Sequence, residues 1–158
     1  MTQTSAPFAP ALTFAFEIRA RLAPTLHIGH GDGEKTEFTP ITGGTVEGPM
    51  LRGTVLPGGG DWSSTRGRVC ELDARYLLRT DDGAVIDIVN RGYYHEGENS
   101  PDQYDGDLRV SEAGVYYRTS PAFRTDAPAY RWLAETVFVG LARPADTDAV
   151  AIRMYAVA

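Results

Sequence analysis

Hydrophobic and polar positions alternate along most of this chain. In residues 12–22, Leu12, Phe14, Phe16, Ile18 and Leu22 share one parity, while Thr13, Glu17, Arg19 and Arg21 share the other. A period of two sends the two sets to opposite faces of a strand. Runs of the same kind predict strands over 36–42, 44–56 (bent at Gly48–Pro49), 107–119, 135–142 and 149–157. Glycines (17) and prolines (10) fall in short clusters between the runs, as tight turns require. One helix is predicted, over 127–134, with Asp126 as its N-cap and Pro128 in its first turn.

The segment 70–91 predicts a hairpin with a defined register. Thr80-Asp-Asp-Gly-Ala84 is a three-residue loop in which Gly83 takes the left-handed position, so Thr80 pairs with Ala84. Counting outward, Leu78 faces Ile86, Tyr76 faces Ile88 and Ala74 faces Asn90. On the other face Asp73 meets Arg91, Arg75 meets Val89 and Leu77 meets Asp87. One face is apolar and the other mostly polar with an opposite-charge pair; a slip of one residue would destroy both features.

Many short antiparallel strands in 158 residues point to one all-β domain, a barrel or a sandwich. A barrel of about eight strands is favoured, because closure removes exposed edges. Residues 1–10 read as a flexible N-terminal lead and 11–158 as a single β-barrel domain. The chain lacks a run of about 18 apolar residues and a secretory leader, which predicts a cytoplasmic protein with no membrane partner. Acids outnumber bases 21 to 15, a net charge of -6, which argues against nucleic acid as a partner. Whether two copies pair as a homodimer is left open by the sequence.

Several chemistries find no support. Gly43-Gly44 and Gly58-Gly-Gly60 match neither a P-loop nor a dinucleotide motif, and read as turns or bulges. His27 and His30 sit in a Gly-rich stretch read as a solvated loop, with no element to fix two imidazoles, and His95 has no motif around it, so no metal site is expected. Cys70 shares parity with Leu72, Ala74 and Tyr76 and is expected to be buried and inert. Ser63 and Ser64 lack a nucleophile elbow and a histidine at a telling position. What remains is a mixed set. Tyr76 and Asn90 lie on the apolar face of the hairpin, and polar groups there must find partners or a ligand.

Four blocks carry a family resemblance: Pro40–Gly53, Leu56-Pro-Gly-Gly-Gly-Asp-Trp62, Leu72–Gly83 followed by Asn90-Arg-Gly92, and Tyr117–Phe123 with Tyr130-Arg-Trp-Leu133. In this order they resemble the bacterial family known as domain of unknown function 3237, over roughly residues 10–157. The resemblance implies a small antiparallel barrel of the calycin or allene-oxide-cyclase kind and brings no settled activity. His27–Lys35 and Tyr94–Asp107 match it least.

The expectation from the residues is a small-molecule-binding barrel. It acts as a cofactor-free isomerase, cyclase or lyase on a carbonyl-containing, aromatic metabolite by acid–base chemistry. Asp61 or Glu47 would remove a proton beside the carbonyl, and Tyr76, Asn90 and Arg118 would donate to the developing oxyanion. Trp62, Tyr117 and Trp132 would form walls, with Asp73, Arg75 and Arg91 supplying charge. The alternative is a non-catalytic binding protein for a hydrophobic small molecule.

Overall fold

The computed structural model describes residues 8–96 and 115–158. Its strands are β1 (Leu12–Leu22), β2 (Leu26–Gly31), β3 (Glu34–Glu47), β4 (Gly53–Val55), β5 (Gly59–Arg66), β6 (Val69–Thr80), β7 (Val85–Glu96), β8 (Val115–Arg124), β9 (Phe138–Ala145) and β10 (Ala149–Val157). All pairings are antiparallel. The ring runs β1-β10-β9-β8-β7-β6, then β4 and β5 end to end in one strand position, then β3, which pairs back onto β1. Because β2 extends the β1 position along β3, the barrel is closed with eight strand positions and two supplementary short strands. The chain ends are tied together, since Ala11 and Ala158 exchange backbone hydrogen bonds of 2.9 Å in both directions.

The β6–β7 hairpin has the expected register throughout, from Arg79–Val85 to Cys70–Tyr94. Gly83 has φ 93°, and the Thr80 amide donates to the Ala84 carbonyl at 2.9 Å. Elsewhere the elements differ from expectation in identifiable ways. The stretch His27–Lys35 is not a loop but the β2–β3 hairpin, turning at Asp32 (φ 48°) and Gly33 (φ 79°), an Asp-Gly pair with both residues left-handed. Strands expected over 36–42 and 44–56 are one long β3 that passes through Gly43 and Gly44 (φ 151° and 145°) and stops at Gly48–Pro49. β4 is separate, and β5 was not anticipated at all. Most of the strand expected over 107–119 lies outside the described residues. Its described part begins β8, which continues to Arg124 through Pro121. Hydrogen bonding to β9 involves only Arg118 and Thr119, so Pro121 sits where its missing N–H breaks no ladder.

The helix is a 3-10 turn, Pro128–Tyr130, running into α1 (Arg131–Ala134). Asp126 is not its cap. Ala127 holds the N-cap position, and its amide donates to Thr125 Oγ1 at 3.2 Å. α1 closes one end of the barrel. Leu133 is 1% exposed and belongs to the same core cluster as Phe16, Phe123 and Phe138, whose ring centroids lie 5.1–6.2 Å apart, with Phe123 edge-on to both of the others. Tyr130 Oη donates to Asp82 at 2.8 Å and pins the helix to the β6–β7 turn. Burying a leucine of this kind contributes roughly 1.5–3 kcal/mol.

Beyond that closed end, small inward side chains fall at one level of several strands: Ala20 on β1, Ala74 on β6 and Asn90 on β7. Along β1 the inward positions run Phe16, Ile18, Ala20. Along β6 they run Leu78, Tyr76, Ala74, and along β7 Ile86, Ile88, Asn90, Gly92. The packed half gives way to a hollow half because volume is withdrawn from several strands at the same level.

Candidate functional site

The hollow half holds a cavity of about 380 Å3. Its apolar wall comes from Leu22, Ile41, Leu72, Val150 and Ile152. Its polar wall comes from Asp61 on β5, Cys70 and Tyr76 on β6, Asn90 and Tyr94 on β7, and Tyr117 and Thr119 on β8. Strand parity explains the selection: residues two apart on one strand look the same way.

Three side-chain atoms around this cavity are buried without a well-formed hydrogen bond: Tyr76 Oη, Asn90 Oδ1 and Thr119 Oγ1; Tyr76 and Asn90 approach each other, but not in good hydrogen-bonding geometry. Their residues are 3–6% exposed, so bulk water does not satisfy them. Each such atom costs roughly 1–3 kcal/mol, and three facing one hollow are what a polar ligand would relieve. Burial raises the Tyr76 hydroxyl well above the usual tyrosine range. Tyr117 adds to that rise and Asn90 opposes it. Tyr117 is likewise raised by burial and by the nearby Asp61. Both phenols therefore stay protonated through the physiological range. Tyr94 and Tyr117 meet edge to face at 5.3 Å.

Asp61 is the acid of the site. Burial raises its carboxyl to about 6, the hydrogen bond from the Asp73 amide works against that rise, and the Asp73 charge adds to it. The Asp73 amide donates to Asp61 Oδ1 at 2.8 Å. This occurs at a gap in the β5–β6 ladder, which pairs Asp61 with Ala74 and resumes only at Ser64 with Glu71. The carboxylate is thus set into the barrel wall, on the side that faces the hollow.

The residues expected to form a site divide between the two faces. Asp61, Tyr76, Asn90 and Tyr117 converge on the cavity. The others do not. Glu47 is exposed at the far end of β3. Arg118 follows Tyr117 in the strand and therefore faces outward, where its guanidinium donates to the Tyr117 carbonyl at 2.9 Å and lies 5.3 Å from the Tyr116 ring, with burial lowering it to about 10. Trp62 follows Asp61 and is outside for the same reason, 52% exposed and packed on Phe38 at 4.5 Å. Trp132 belongs to the closed end, 5.9 Å from Phe138. Asp73 pairs with Arg91 and Arg75 with Asp87, each at 3.1 Å, on the outer wall. Thr119, Tyr94 and Ser63 are cavity residues that sequence reasoning missed. Cys70 has the expected inward parity but is only half-buried, because it lines the hollow.

Among the described residues no group of three His, Cys, Asp or Glu side chains could hold a metal ion, and no helix is long and apolar enough to cross a membrane. His27 and His30 are held on β2, ring centroids 5.5 Å apart, with His27 Nδ1 3.6 Å from Glu37.

Known proteins share this architecture. A UPF0311 protein of Rhodopseudomonas palustris (strain TIE-1) is 35% identical over 135 residues, covering 84% of this chain and 88% of that protein. The crystal structure of a beta-barrel like protein from Acinetobacter baumannii AYE superposes with a TM-score of 0.83 at 34% identity, covering 99% of this chain and 100% of that one. A hydroalkoxylation enzyme of Penicillium herquei is 37% identical over 84 residues, 52% of this chain and 55% of that protein. The family model described as protein of unknown function (DUF3237) matches residues 10–157, and the chain belongs to that family.

Proposed function

We propose that this DUF3237 barrel is a cofactor-free enzyme that moves protons on a small carbonyl compound held in its cavity, an isomerase, cyclase or lyase. The observation that carries the reading is the set of buried polar atoms without a well-formed hydrogen bond, Tyr76 Oη, Asn90 Oδ1 and Thr119 Oγ1, facing the same hollow as Asp61. Above about pH 6 Asp61 is ionised and can accept a proton beside the carbonyl. A general base is most effective when it titrates near the working pH, and burial moves Asp61 toward that range. Tyr76, protonated throughout, donates its O–H to the oxygen on which negative charge develops, and the Thr119 hydroxyl supplies a second donor, while Asn90 Oδ1, an acceptor, takes a hydrogen bond from a hydroxyl of the substrate. Thr119 takes the donor role that the sequence suggested for Arg118. Protonated Asp61 then returns the proton to a different atom of the same substrate, so nothing is oxidised or reduced.

The name of the Penicillium herquei relative supports this class of chemistry. Hydroalkoxylation adds an alcohol O–H across a double bond: one proton leaves oxygen and one arrives on carbon. That too is proton transfer without net redox change.

The test is proton exchange. The protein is incubated in D2O with a panel of aromatic ketones and enones, and deuterium entering the carbon beside the carbonyl is followed by NMR. The reading expects exchange or conversion of at least one class, lost in Asp61→Asn and reduced at least about 100-fold in Tyr76→Phe. If Asp61→Asn, Tyr76→Phe and Asn90→Ala all leave turnover intact, the assignment fails. Tight ligand binding with no conversion at any pH would mark a binding protein instead.

A further inference from the structure

We propose that Asp61 makes the barrel cavity charge-selective, so that it takes uncharged, oxygen-bearing ligands and turns away anions such as carboxylates and phosphates. The inference rests on the cavity being the ligand site and adds the class of ligand it accepts.

The wall composition is the first argument. Eight aliphatic positions and seven hydroxyl-bearing ones line the hollow, together with Asn90, Cys70 and Asp61. Asp61 is the one carboxylate among these described residues, and no Lys, Arg or His is among them. Hydroxyl and amide groups match neutral oxygens of a ligand and offer an anion no opposite charge.

Strand parity is the second argument. The cations closest along the chain are all turned away. Arg75 and Arg91 stand on the outer face of the β6–β7 hairpin, engaged with Asp87 and Asp73 at 3.1 Å. Arg118 is on the outer face of β8. The titratable groups that face Asp61 from the packed elements are Cys70 and Tyr76 of β6, Tyr94 of β7 and Tyr117 of β8, and the Asp73 carboxylate of β6, on the outer face, adds its negative charge from behind the wall. None of these brings a positive charge inside.

The third argument is placement. Asp61 Oδ1 accepts the Asp73 amide at 2.8 Å, so swinging the carboxylate out of the wall to make room for a second negative group would break that bond. An anion in the cavity would meet it in a medium of low dielectric, where like charges repel far more strongly than in water. Protonation of Asp61 removes the repulsion. Since burial raises this carboxyl to about 6, anion exclusion should appear as the pH rises through that value.

The test uses three probes of nearly equal shape: 2-naphthamide (uncharged), 2-naphthoate (anion) and 2-naphthylmethylammonium (cation), titrated by calorimetry into the full chain at pH 8 and pH 5. The expected result at pH 8 is that naphthoate binds at least tenfold more weakly than naphthamide, about 1.4 kcal/mol. The gap should close to under threefold at pH 5 and in Asp61→Asn at pH 8, while naphthamide affinity stays within twofold across all three conditions. Equal binding of naphthoate and naphthamide to the native chain at pH 8 would overturn the inference. So would a gap that persists in Asp61→Asn, which would place the selectivity elsewhere. Naphthylmethylammonium binding more than tenfold tighter than naphthamide at pH 8 would also overturn it, in favour of a cation site. Failure of all three to bind would remove the cavity as a ligand site and the selectivity with it, whereas naphthoate binding alone would leave the proton-transfer reading standing.

Discussion

Asp61→Asn should make the protein more stable at pH 8 while removing its chemistry. The carboxyl titrates near 3.8 in the unfolded chain and near 6 in the barrel, because burial disfavours its charged form. Between those values the folded state holds a proton that the unfolded state has lost. The contribution of this group to stability is therefore complete below pH 3.8, declines as the pH rises through 6, and stays low above it. Each pH unit is worth roughly 1.4 kcal/mol, so the charge on Asp61 destabilises the fold at pH 8 by up to about 3 kcal/mol. Because Asp61 is only partly buried, solvent screening reduces the expected figure to about 2 kcal/mol. Asparagine is the right perturbation because its Oδ1 can still accept the Asp73 amide, which keeps the bond of 2.8 Å that closes the gap in the ladder. For a chain of this size about 2 kcal/mol corresponds to a rise in Tm of roughly 4–8 °C. Thermal and urea unfolding of the native and variant chains, measured together from pH 4 to pH 8, check it. The two should coincide near pH 4 and separate progressively toward pH 7. A variant equal to or less stable than the native chain at pH 8, or a difference that does not change with pH, would refute the claim that a carboxylate whose desolvation outweighs its hydrogen bond sits at this position.

Three further outcomes follow from the same geometry. Tyr76→Phe deletes a buried hydroxyl whose contact with Asn90 is not a well-formed hydrogen bond, so urea unfolding should show unchanged or greater stability, by up to about 2 kcal/mol. Gly44→Ala combines a φ of 145° with a Cβ that would run into the Arg19 carbonyl, and should cost about 3 kcal/mol or more in the same assay. Gly58→Ala, whose Cβ meets open space, is its control and should cost only about 1 kcal/mol. Arg91→Ala breaks a solvent-exposed pair with Asp73 and should change stability by less than about 1 kcal/mol, with the difference shrinking in 1 M salt.

The legible parts of the fold were those in which two independent local signals agreed. For the β6–β7 hairpin, turn chemistry and side-chain alternation pointed to one register, and the structure has it pair for pair. β2 and β5 were missed because alternation alone was weighed. Leu26 to Gly31 lacks a clear apolar face, as its side chains are nearly all exposed, yet the Asp32-Gly33 turn already marked a hairpin. β5 offers its neighbours Gly59, Gly60 and two serines, which propensity reads as loop, but its pairing with β3 and β6 overrides that preference. In the site, parity was sufficient information and was not applied far enough. Tyr117 and Arg118 are adjacent, as are Asp61 and Trp62, so neither pair can share a face. Choosing Tyr117 as inward already implied Thr119 and excluded Arg118. The orphaned state of the buried hydroxyls was not legible, because it depends on how much volume the facing strands withdraw.

The position of Asp61 also explains how a small barrel can keep a charge in its interior in one geometry. A carboxylate on a loop would turn toward water, since solvation outweighs any weak contact that held it inside. Here the wall supplies the restraint. At the gap between Asp61–Ala74 and Ser64–Glu71, the side chain takes the place of a ladder acceptor and receives the Asp73 amide. Moving it outward would leave that amide without its bond at a strand-to-strand contact, a loss of roughly 1–3 kcal/mol. The restraint and the desolvation that raises Asp61 to about 6 thus have a common origin, because both follow from setting the carboxylate in the seam. The aromatic cluster and α1 at the opposite end supply the packing that tolerates this cost. The strands can therefore be hollow, polar and unsatisfied at one end because they are densely filled at the other.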